Sequence, residues 1–422
     1  MRLFRNLIYT CLFFLTACSP NLIDETENAV QNNNKIRLEF FSPKVETVEI
    51  FDELIHDFER ENADIDIEQI IIPNGMEVLK KRIARSQAPD IFITYPLEQD
   101  YVIRAEKGYL LELTQEDFIQ NINPTIQNRY LVHGKMYGVA LTQNAVGVLY
   151  NKEIFEQLHL EVPQTWDEFI QVLEAVKSAG VTPILMPNKD ADTTSVFNLN
   201  LVSNEFDSQY WDQVNQGKVK ISGDSKWMDV AGKMLKVVSF APKDSFETDY
   251  EQANRGFAEG SGAMYVTGTW ALSFIEKWNP HLKYGIFPFP ASNDPLKNRV
   301  LGGVDIGLAI SKDTRHPEAA KEFLKFLVKK ENAQRLSDYE GSISAVQGVT
   351  VKKTIVQPLV ELVQNNKNVN WPNHYWVGGT QAERDYRRYS QQFFMDKDIG
   401  TFLRHLDQMF AFYREEFKSY HA

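Results

Sequence analysis

The stretch "KIRLEFFS" (residues 35–42) alternates apolar and polar side chains before an apolar pair, a pattern typical of a strand. Apolar residues then recur at steps of three and four along "VETVEIFDELIHDFEREN" (45–62), which predicts an amphipathic helix. A second strand, "IDIEQIII" (65–72), a second helix (77–86) and a third strand, "DIFITY" (90–95), follow. This alternation predicts an α/β fold whose sheet is mainly parallel and is flanked by helices.

Residues that follow the strands are the first candidates for a site, because ligands of such sheets bind beyond the carboxyl ends of the strands. Lys44 and Glu46 follow the first strand, and Thr94 and Tyr95 lie at the end of the third. Each has an alternative explanation. Glu46 also suits the N-terminus of a helix through the helix dipole, and Thr94 and Tyr95 would serve equally well as packing residues.

The N-terminus has the composition of a secretory signal peptide, predicted over residues 1–17. Arg2 and Arg5 precede an apolar run over residues 7–17, which is shorter than the roughly twenty residues that a membrane-spanning helix needs. The polar, Asn-rich segment that follows has no periodicity and predicts a flexible linker.

Cys11 and Cys18 are the only cysteines in the 422 residues. The sequence "LTAC" (15–18) resembles the bacterial lipobox, whose cysteine becomes the lipidated first residue of the mature chain. A disulfide between the two cysteines is the alternative, but cleavage before Cys18 would remove Cys11. We therefore predict that Cys18 is a lipid anchor at the outer face of the cell membrane, followed by a linker that extends to residue 34.

The composition excludes several classes of function. The formal net charge of −12 and the absence of a basic stripe argue against a nucleic-acid partner. Neither G-x-S-x-G, H-E-x-x-H nor G-x-x-x-x-G-K-[ST] occurs, and the eight histidines include no i, i+4 pair. The sequence therefore indicates no catalytic motif, cofactor or metal site. The nearly 390 residues after the linker are more than one core usually supports, so we expect two domains.

Seven segments in a fixed order resemble the extracellular solute-binding lipoproteins of ABC transporters, of the family 1 type that binds maltodextrins and oligosaccharides. The resemblance covers roughly residues 36–345. The segments are "APDIF" (88–92), "GKMYGVAL" (134–141), "VGVLYNKEIFEQL" (146–158), "VPQTWDEF" (162–169), "GAMYVTGTW" (262–270), "YGIFPFP" (284–290) and "HPEAAKEFLKFL" (316–327).

This resemblance implies a two-lobed clamshell of the periplasmic-binding-protein type, whose chain crosses between the lobes more than once. The first lobe would comprise residues 36–143 and 302–345, and the second residues 144–301 and 346–422. Gly302 and Gly303 would tolerate unusual dihedral angles at the return crossing. The family captures a sugar or oligosaccharide and delivers it to a membrane permease. We accordingly expect a monomeric binding protein.

The resemblance also implies site residues. Trp270 follows a glycine turn at Gly268 and matches the sugar-stacking tryptophan of similar proteins, although it could instead cap the following helix from the core. Asn144 lies at the first crossing, where many similar proteins carry a carboxylate, but it could simply cap a turn. Asp305 lies in an apolar strand, so either a sugar hydroxyl or a buried salt bridge would offset its burial.

Two further aromatic residues, Tyr375 and Trp376, lie in the glycine-flanked segment "NHYWVGG" (373–379) and would suit a sugar-stacking lip. The remaining tryptophans are interpreted as packing residues: Trp166, Trp211, Trp227, Trp278 and Trp371.

Three alternatives to a sugar-binding protein stay open at this point. A membrane-anchored glycoside hydrolase would use two opposed carboxylates roughly 5–10 Å apart, and the 57 acidic residues do not exclude such a pair. A clamshell for a non-sugar solute would share the fold. An anchored interaction protein would expose an apolar patch instead of a cleft.

Overall fold

The computed structural model describes residues 35–73, 75–96 and 98–421. The predicted signal peptide (1–17), the lipid anchor at Cys18 and the linker to residue 34 therefore lie outside the described residues. Residues 36–422 form one compact unit.

The strands follow the predicted order along the chain. They are β1 (Ile36–Ser42), β2 (Ile65–Ile71), β3 (Ile91–Ile93), β4 (Leu131–Val132), β5 (Lys135–Met136), β6 (Val139–Gln143), β7 (Val146–Asn151), β8 (Ile184–Leu185), β9 (Met264–Gly268), β10 (Tyr284–Pro288), β11 (Val300–Leu301), β12 (Val304–Ile310), β13 (Ile343–Ser344) and β14 (Asn368–Val369).

The α-helices lie mainly between the strands and after β13. They are α1 (Val48–Glu61), α2 (Met76–Ala84), α3 (Gln99–Glu106), α4 (Pro124–Gln127), α5 (Lys152–Gln157), α6 (Trp166–Ser178), α7 (Ala191–Glu205), α8 (Ser208–Asn215), α9 (Ser225–Val238), α10 (Tyr250–Ala258), α11 (Leu272–Trp278), α12 (Pro317–Leu327), α13 (Lys330–Glu340), α14 (Gln357–Gln364), α15 (Gly379–Asp396) and α16 (Ile399–His421).

The first lobe, which we define as the elements packed around the sheet containing β1, has the strand order β13-β6-β12-β3-β1-β2. Strands β1, β2 and β3 pair in parallel, as the sequence predicts. Strands β12 and β13, however, enter this sheet antiparallel to their neighbours. The apolar faces of α1 and α12 cover the sheet, with Phe40, Phe51, Phe58 and Phe323 in ring contact.

The second lobe, defined as the elements packed around the sheet containing β7, has the strand order β10-β7-β9-β8. Two of its pairings are antiparallel and only β8 with β9 is parallel. Thr165 and Glu168 form the predicted capping box at the start of α6, and Gly180 follows that helix with φ of +77°. Helices α15 and α16 pack on this lobe, because Tyr386, Phe393 and Phe410 belong to its core.

Two α/β lobes with several crossings are therefore confirmed, but the prediction of mainly parallel sheets is wrong. The chain returns to the first sheet from the other lobe at β12, and a strand that enters from that direction pairs antiparallel with β3 and β6.

The glycines at the return crossing are needed for close backbone packing and not for the unusual dihedral angles that the sequence predicts. Neither Gly302 nor Gly303 is among the residues with positive φ in the described chain. A Cβ on Gly302 would lie 2.4 Å from the backbone oxygen of Asn144, so this position requires glycine because the two crossing segments approach closely. The backbone N–H of Asn144 also donates to the backbone carbonyl of Gly303 at 2.9 Å.

Within the described chain, no helix combines the length and the apolar character needed to cross a membrane.

Candidate ligand-binding site

A cavity of about 750 Å³ lies between the two lobes, and both lobes contribute to its wall. Cavities of this size are typical of small-molecule sites. The first lobe contributes residues after β1, β2 and β3 and at the start of β12, and the second contributes residues around α7, α10, β9 and α15. The lining residues include Lys44, Glu46, Tyr95, Glu98, Asn144, Asp192, Tyr250, Trp270, Asp305, Trp371, Asn373, His374, Glu383 and Arg387.

Two indoles form the apolar part of the wall. Trp270 lies in the 3₁₀ turn Thr269–Ala271 that follows β9, and Trp371 lies between β14 and the turn Pro372–Tyr375. Their ring centroids are 6.1 Å apart and their planes are tilted by 40°. Both side chains are partly exposed, so their faces are accessible from the cavity. Such a pair can pack against the C–H face of a ligand ring.

Gly268 supports Trp270 from beneath. A Cβ at this position would lie 1.9 Å from Cζ3 of the Trp270 indole, so the ring rests directly on the backbone of the glycine. The glycine therefore acts through Trp270, and its own φ of −97° is available to any residue.

A hydrogen-bonded chain forms the polar part of the wall next to the indoles. Lys44 Nζ lies 2.5 Å from Asp305 Oδ2, and the Asn144 side-chain amide donates to Asp305 Oδ1 at 3.0 Å. Asn144 Oδ1 in turn accepts from the backbone N–H of Gly303 at 3.0 Å and from Trp371 Nε1 at 3.3 Å. These bonds fix the orientation of the Asn144 amide and connect Lys44 to one of the indoles.

Lys44 remains charged although it is almost completely buried. Burial lowers the pKa of Lys44, but the carboxyl groups of Asp305, Glu340 and Glu46 more than offset this effect, and the pKa is raised. Glu340 Oε1 lies 4.0 Å from Lys44 Nζ. Burial, only partly offset by Lys44, raises the pKa of Glu340 to about 7.

Glu46 faces the second lobe across the cavity. The Tyr250 hydroxyl donates to Glu46 Oε1 at 3.1 Å. Burial raises the pKa of Glu46, and burial together with the Glu46 charge raises the pKa of Tyr250 well above its ordinary value. The pair therefore offers a neutral phenol and a carboxyl group that can exchange hydrogen bonds with ligand hydroxyls.

Another part of the wall is formed by residues of α15, the start of α7 and the residue before α3. Arg387 Nη1 donates to Asp192 Oδ1 at 2.7 Å, and Arg387 Nη2 donates to Glu383 Oε1. Glu98 faces these residues from the first lobe. Burial and the nearby charge of Glu383 raise the pKa of Glu98 well above its ordinary value.

His374 lies beside Trp371 and is 9% exposed. Burial, followed by the charge of Arg129, lowers the pKa of His374 to about 3, so its imidazole is neutral at physiological pH. Asn373 lines the same part of the cavity, and its Oδ1 has no hydrogen-bond partner among the described residues. Both residues therefore present uncharged polar atoms.

The structure brings together six of the residues named from the sequence. Lys44, Glu46, Tyr95, Asn144, Trp270 and Asp305 all line the cavity. Asp305 forms a buried ion pair with Lys44, as one of its two alternatives predicts, and it also lines the wall.

Thr94 and Trp376 are placed elsewhere, and Gly268 contributes only by supporting Trp270. Thr94 is completely buried, and its carbonyl accepts from the Tyr130 hydroxyl at 2.8 Å, so it is a packing residue. Trp376 is 2% exposed and packs against Trp211, Tyr386 and Phe410 in the core of the second lobe.

Sequence reasoning missed the contribution of the C-terminal region. Trp371 lines the cavity, so its interpretation as a packing residue is corrected. Other residues that the sequence analysis did not name are Glu98, Asp192, Tyr250, Asn373, His374, Glu383 and Arg387. The segment "NWPNHYW" (370–376) concentrates aromatic and amide side chains, and this was the one signal that could have identified part of the group.

No group of three or more His, Cys, Asp or Glu side chains suited to a metal ion occurs in the described part of the chain. Each of the four lysine and arginine side chains in the cavity wall pairs with a lining carboxyl group, and the carboxyl groups are in excess. The arrangement can therefore accept and donate many hydrogen bonds while presenting one apolar face.

Comparison with protein families identifies this architecture. The family model of the bacterial extracellular solute-binding proteins matches residues 44–334. The chain is a bacterial extracellular solute-binding protein. The two-lobed clamshell and the family predicted from the sequence are thereby confirmed, and the family name indicates that this solute-binding protein acts outside the cytoplasm.

Several relatives of this solute-binding protein are named for sugars. It is 28% identical over 391 residues to the multiple sugar-binding protein of Streptococcus mutans, covering 91% of each chain. Its structure resembles RafE in complex with raffinose, with 26% identity, a TM-score of 0.84 and coverage of 90% and 100% of the two chains. For the apo-form of RafE from Streptococcus pneumoniae the identity is also 26%, the TM-score is 0.74 and the coverage is 91% and 99%.

Proposed function

We propose that this solute-binding protein captures a neutral oligosaccharide between its lobes and delivers it to the permease of an ABC importer. The observation that carries the proposal is the juxtaposition of the Trp270–Trp371 pair with the Lys44–Asp305–Asn144 chain in one cavity. Sugars present apolar C–H faces and hydroxyl groups side by side, and this wall offers a partner for each.

The charges of the cavity favour a neutral sugar over a uronate or a phosphorylated sugar. Nine carboxyl side chains line the cavity, against four lysine and arginine side chains. An anionic ligand would therefore meet an excess of like charge, because Lys44 and Arg387 are already paired with carboxylates. The similarity to the multiple sugar-binding protein of Streptococcus mutans and to RafE in complex with raffinose supports the same class of ligand.

The mechanism follows from the position of the cavity. A ligand that contacts both lobes binds best when they are closed, so it shifts the population toward the closed form. The greater similarity to raffinose-bound RafE than to its apo-form supports the view that the present arrangement is the closed one. The permease would then recognise this closed form, and the sugar would be released without chemical change.

Isothermal titration calorimetry of residues 35–422 tests the proposal. Melibiose, raffinose, stachyose and maltotriose would be titrated, with galacturonate oligomers and amino acids as controls. We expect binding of at least one neutral oligosaccharide and none of the uronates. Chromatography after overnight incubation should return the sugar intact. Turnover of the sugar would indicate a hydrolase, and binding of non-sugars alone would refute the carbohydrate assignment.

We further propose that Cys18 carries the lipid that holds the protein at the outer face of the membrane. The lipobox-like sequence "LTAC" (15–18) supports this anchor. Replacement Cys18→Ser should release the protein from the membrane fraction into the medium or periplasm, while the sugar affinity stays the same. Continued membrane association of the variant would contradict the anchor.

We also propose that the lobes move about the predicted boundaries near residues 143 and 302. The core of the first lobe draws on residues 38–141 and 304–346, and the other cores draw on residues 145–301 and 356–413, which supports these boundaries. A monomer suffices for this motion.

A further inference from the structure

The N-terminus of α15 lies against the first lobe although the helix belongs to the second. The helix begins at Gly378 and Gly379, which have φ of +98° and +52°. The N-cap residue, Gly378, has no side chain that could accept hydrogen bonds from the first free amides of the helix. The cap must therefore come from elsewhere.

Asp100, on α3 of the first lobe, supplies it. Asp100 Oδ2 accepts from the backbone N–H of Thr380 at 2.9 Å and also from the Thr380 hydroxyl. A Cβ on Gly379 would lie 2.9 Å from Asp100 Oδ2, so the glycine leaves space for the carboxylate. A carboxylate in this position satisfies a free amide and interacts favourably with the helix dipole.

The carboxylate is held in place within its own lobe. Lys80 Nζ lies 3.2 Å from Asp100 Oδ1, and the side chain of Asp100 is 9% exposed. Burial alone would raise its pKa, but Lys80, Arg104 and the bonds from Thr380 together hold the pKa of Asp100 below its ordinary value. The capping group is therefore charged where the two lobes meet, and Lys80 of its own lobe pairs with its second oxygen.

Neighbouring contacts follow the same pattern. The Gly378 amide donates to Gln99 Oε1 at 2.6 Å, and Gln381 Nε2 donates to Glu77 Oε1 at 2.7 Å. In each pair one residue belongs to the first lobe and the other to the first turn of α15. One and two turns further along the same helix, Glu383 and Arg387 line the ligand cavity.

We propose that Asp100 is a positioning residue for ligand binding, which caps α15 across the cleft and so holds the Glu383–Arg387 wall over the bound ligand. The cap joins the two lobes, so it forms when they close and breaks when they open. Asp100 thus raises affinity through the helix that it seats. This inference rests on the proposed clamshell function but concerns Asp100, which does not itself line the cavity.

Four variants of residues 35–422 test the inference by calorimetry and stopped-flow kinetics. Asp100→Ala should weaken oligosaccharide binding about tenfold, mainly through faster dissociation. Asp100→Asn keeps an acceptor oxygen and should recover most of the affinity. Thr380→Val removes the hydroxyl donor without altering the first lobe and should weaken binding in the same direction. Because Thr380 also lines the cavity, its loss supports the cap only together with a longer interlobe distance in the same variant. Glu106→Gln, at the other end of α3, should bind as the parent does.

A measurement of the distance between the two lobes distinguishes a loss of lobe closure from a local disturbance around residue 100. Residues 35–422 contain no cysteine, so Glu322→Cys in the first lobe and Gln171→Cys in the second can carry spin labels for double electron–electron resonance. With sugar bound, Asp100→Ala should show longer interlobe distances than the parent. Parent-like affinity and distances in both Asp100→Ala and Thr380→Val would overturn the inference, as would an equal loss in Glu106→Gln.

If the parent binds none of the oligosaccharides, the proposed function fails, and the ligand-free distances still decide the inference. Longer distances in Asp100→Ala than in the unliganded parent would support the cap, and identical distributions would overturn it.

Discussion

Lys44 belongs both to a buried ion pair of the first lobe and to the wall of the cavity. Its ammonium group is buried against Asp305 at 2.5 Å and near Glu340 at 4.0 Å. A buried charge is costly on its own, and only its partners make burial acceptable. The two residues of this ion pair also line the cavity in which we propose that the sugar binds.

The first prediction concerns this ion pair. Lys44→Met leaves Asp305 buried without its cation, and we expect the free energy of unfolding to fall by about 3–5 kcal/mol. The double variant Lys44→Met/Asp305→Asn should recover part of the loss, because no unpaired charge then remains at Asp305. Urea unfolding followed by circular dichroism measures both. Lys236→Met, which breaks the exposed pair with Glu174, is the control and should change little.

The second prediction concerns the indole face. Trp270→Ala removes one of the two rings, and we expect oligosaccharide binding to weaken by about 1–3 kcal/mol, as for a buried aromatic contact. Calorimetry measures the change. The control is Trp278→Ala, because Trp278 is 46% exposed on α11 and contacts Arg255. Equal affinity of Trp270→Ala and the parent would place the sugar elsewhere.

Residues at strand ends were predictable from the sequence, and residues brought in by the C-terminal region were not. Lys44, Tyr95 and Trp270 follow strands with clear periodicity, so the general geometry of α/β sheets locates them. Trp371 follows a two-residue strand in a segment without periodicity, and only tertiary packing places it opposite Trp270. The family match also ends at residue 334, before this segment.

At the scale of elements, the end of β9 determines where an aromatic wall can form. The strand finishes at Gly268, the 3₁₀ turn begins, and the Trp270 ring folds back over the glycine. The position of the Trp270 ring thus depends on a glycine that is not itself among the lining residues of the cavity.

The third prediction follows from this arrangement. Gly268→Ala places a methyl group where the Trp270 ring lies, so the indole must move, and we expect sugar binding to weaken by about 1–3 kcal/mol. Calorimetry again measures it. Gly256→Ala in α10 is the matched control, because the nearest atom to its added Cβ lies at 3.7 Å. Equal losses in both variants would contradict a specific role for Gly268.

Local sequence patterns predicted the helices and strands but not the direction in which the strands pair. Periodicity and the capping box at Thr165 predicted the helices and the existence of the strands, since both are local signals. Whether β12 runs parallel or antiparallel depends on a connection through the other lobe, which no local pattern contains. For the same reason the resemblance to a family predicted the two lobes better than composition did.

At the scale of the whole molecule, buried charges at the first-lobe side of the cleft link global stability to pH. Glu340 ends α13 and is completely buried, and Lys44, Asp305 and Glu46 are the charged groups that act on it. Burial raises the pKa of Glu340, and the opposing effects of Lys44 and of the Ser342 hydroxyl are smaller. The folded protein therefore holds a proton at Glu340 more tightly than the unfolded chain does.

The fourth prediction gives the sign of this linkage. The pKa of Glu340 is about 7 in the folded state against an ordinary 4.5, so its stabilising contribution is complete below 4.5 and is lost as the pH rises through about 7. Glu340→Gln should therefore gain stability relative to the parent over that range, on the order of 3 kcal/mol. Thermal unfolding from about pH 4.5 to 8 measures the difference. The exposed Glu322→Gln should show a flat difference, and a flat difference for Glu340→Gln would refute the linkage.

The placement of the seven tryptophans has a further, optical consequence. Trp211, Trp227 and Trp376 are enclosed in the core of the second lobe, Trp278 is on the surface and Trp166 packs against Lys233 on α9. Only Trp270 and Trp371 line the described cavity, and water in contact with them is displaced when a ligand enters. A ligand that occupies the cleft should therefore change the ultraviolet fluorescence of these two indoles. Binding can then be followed by intrinsic fluorescence, without an attached label.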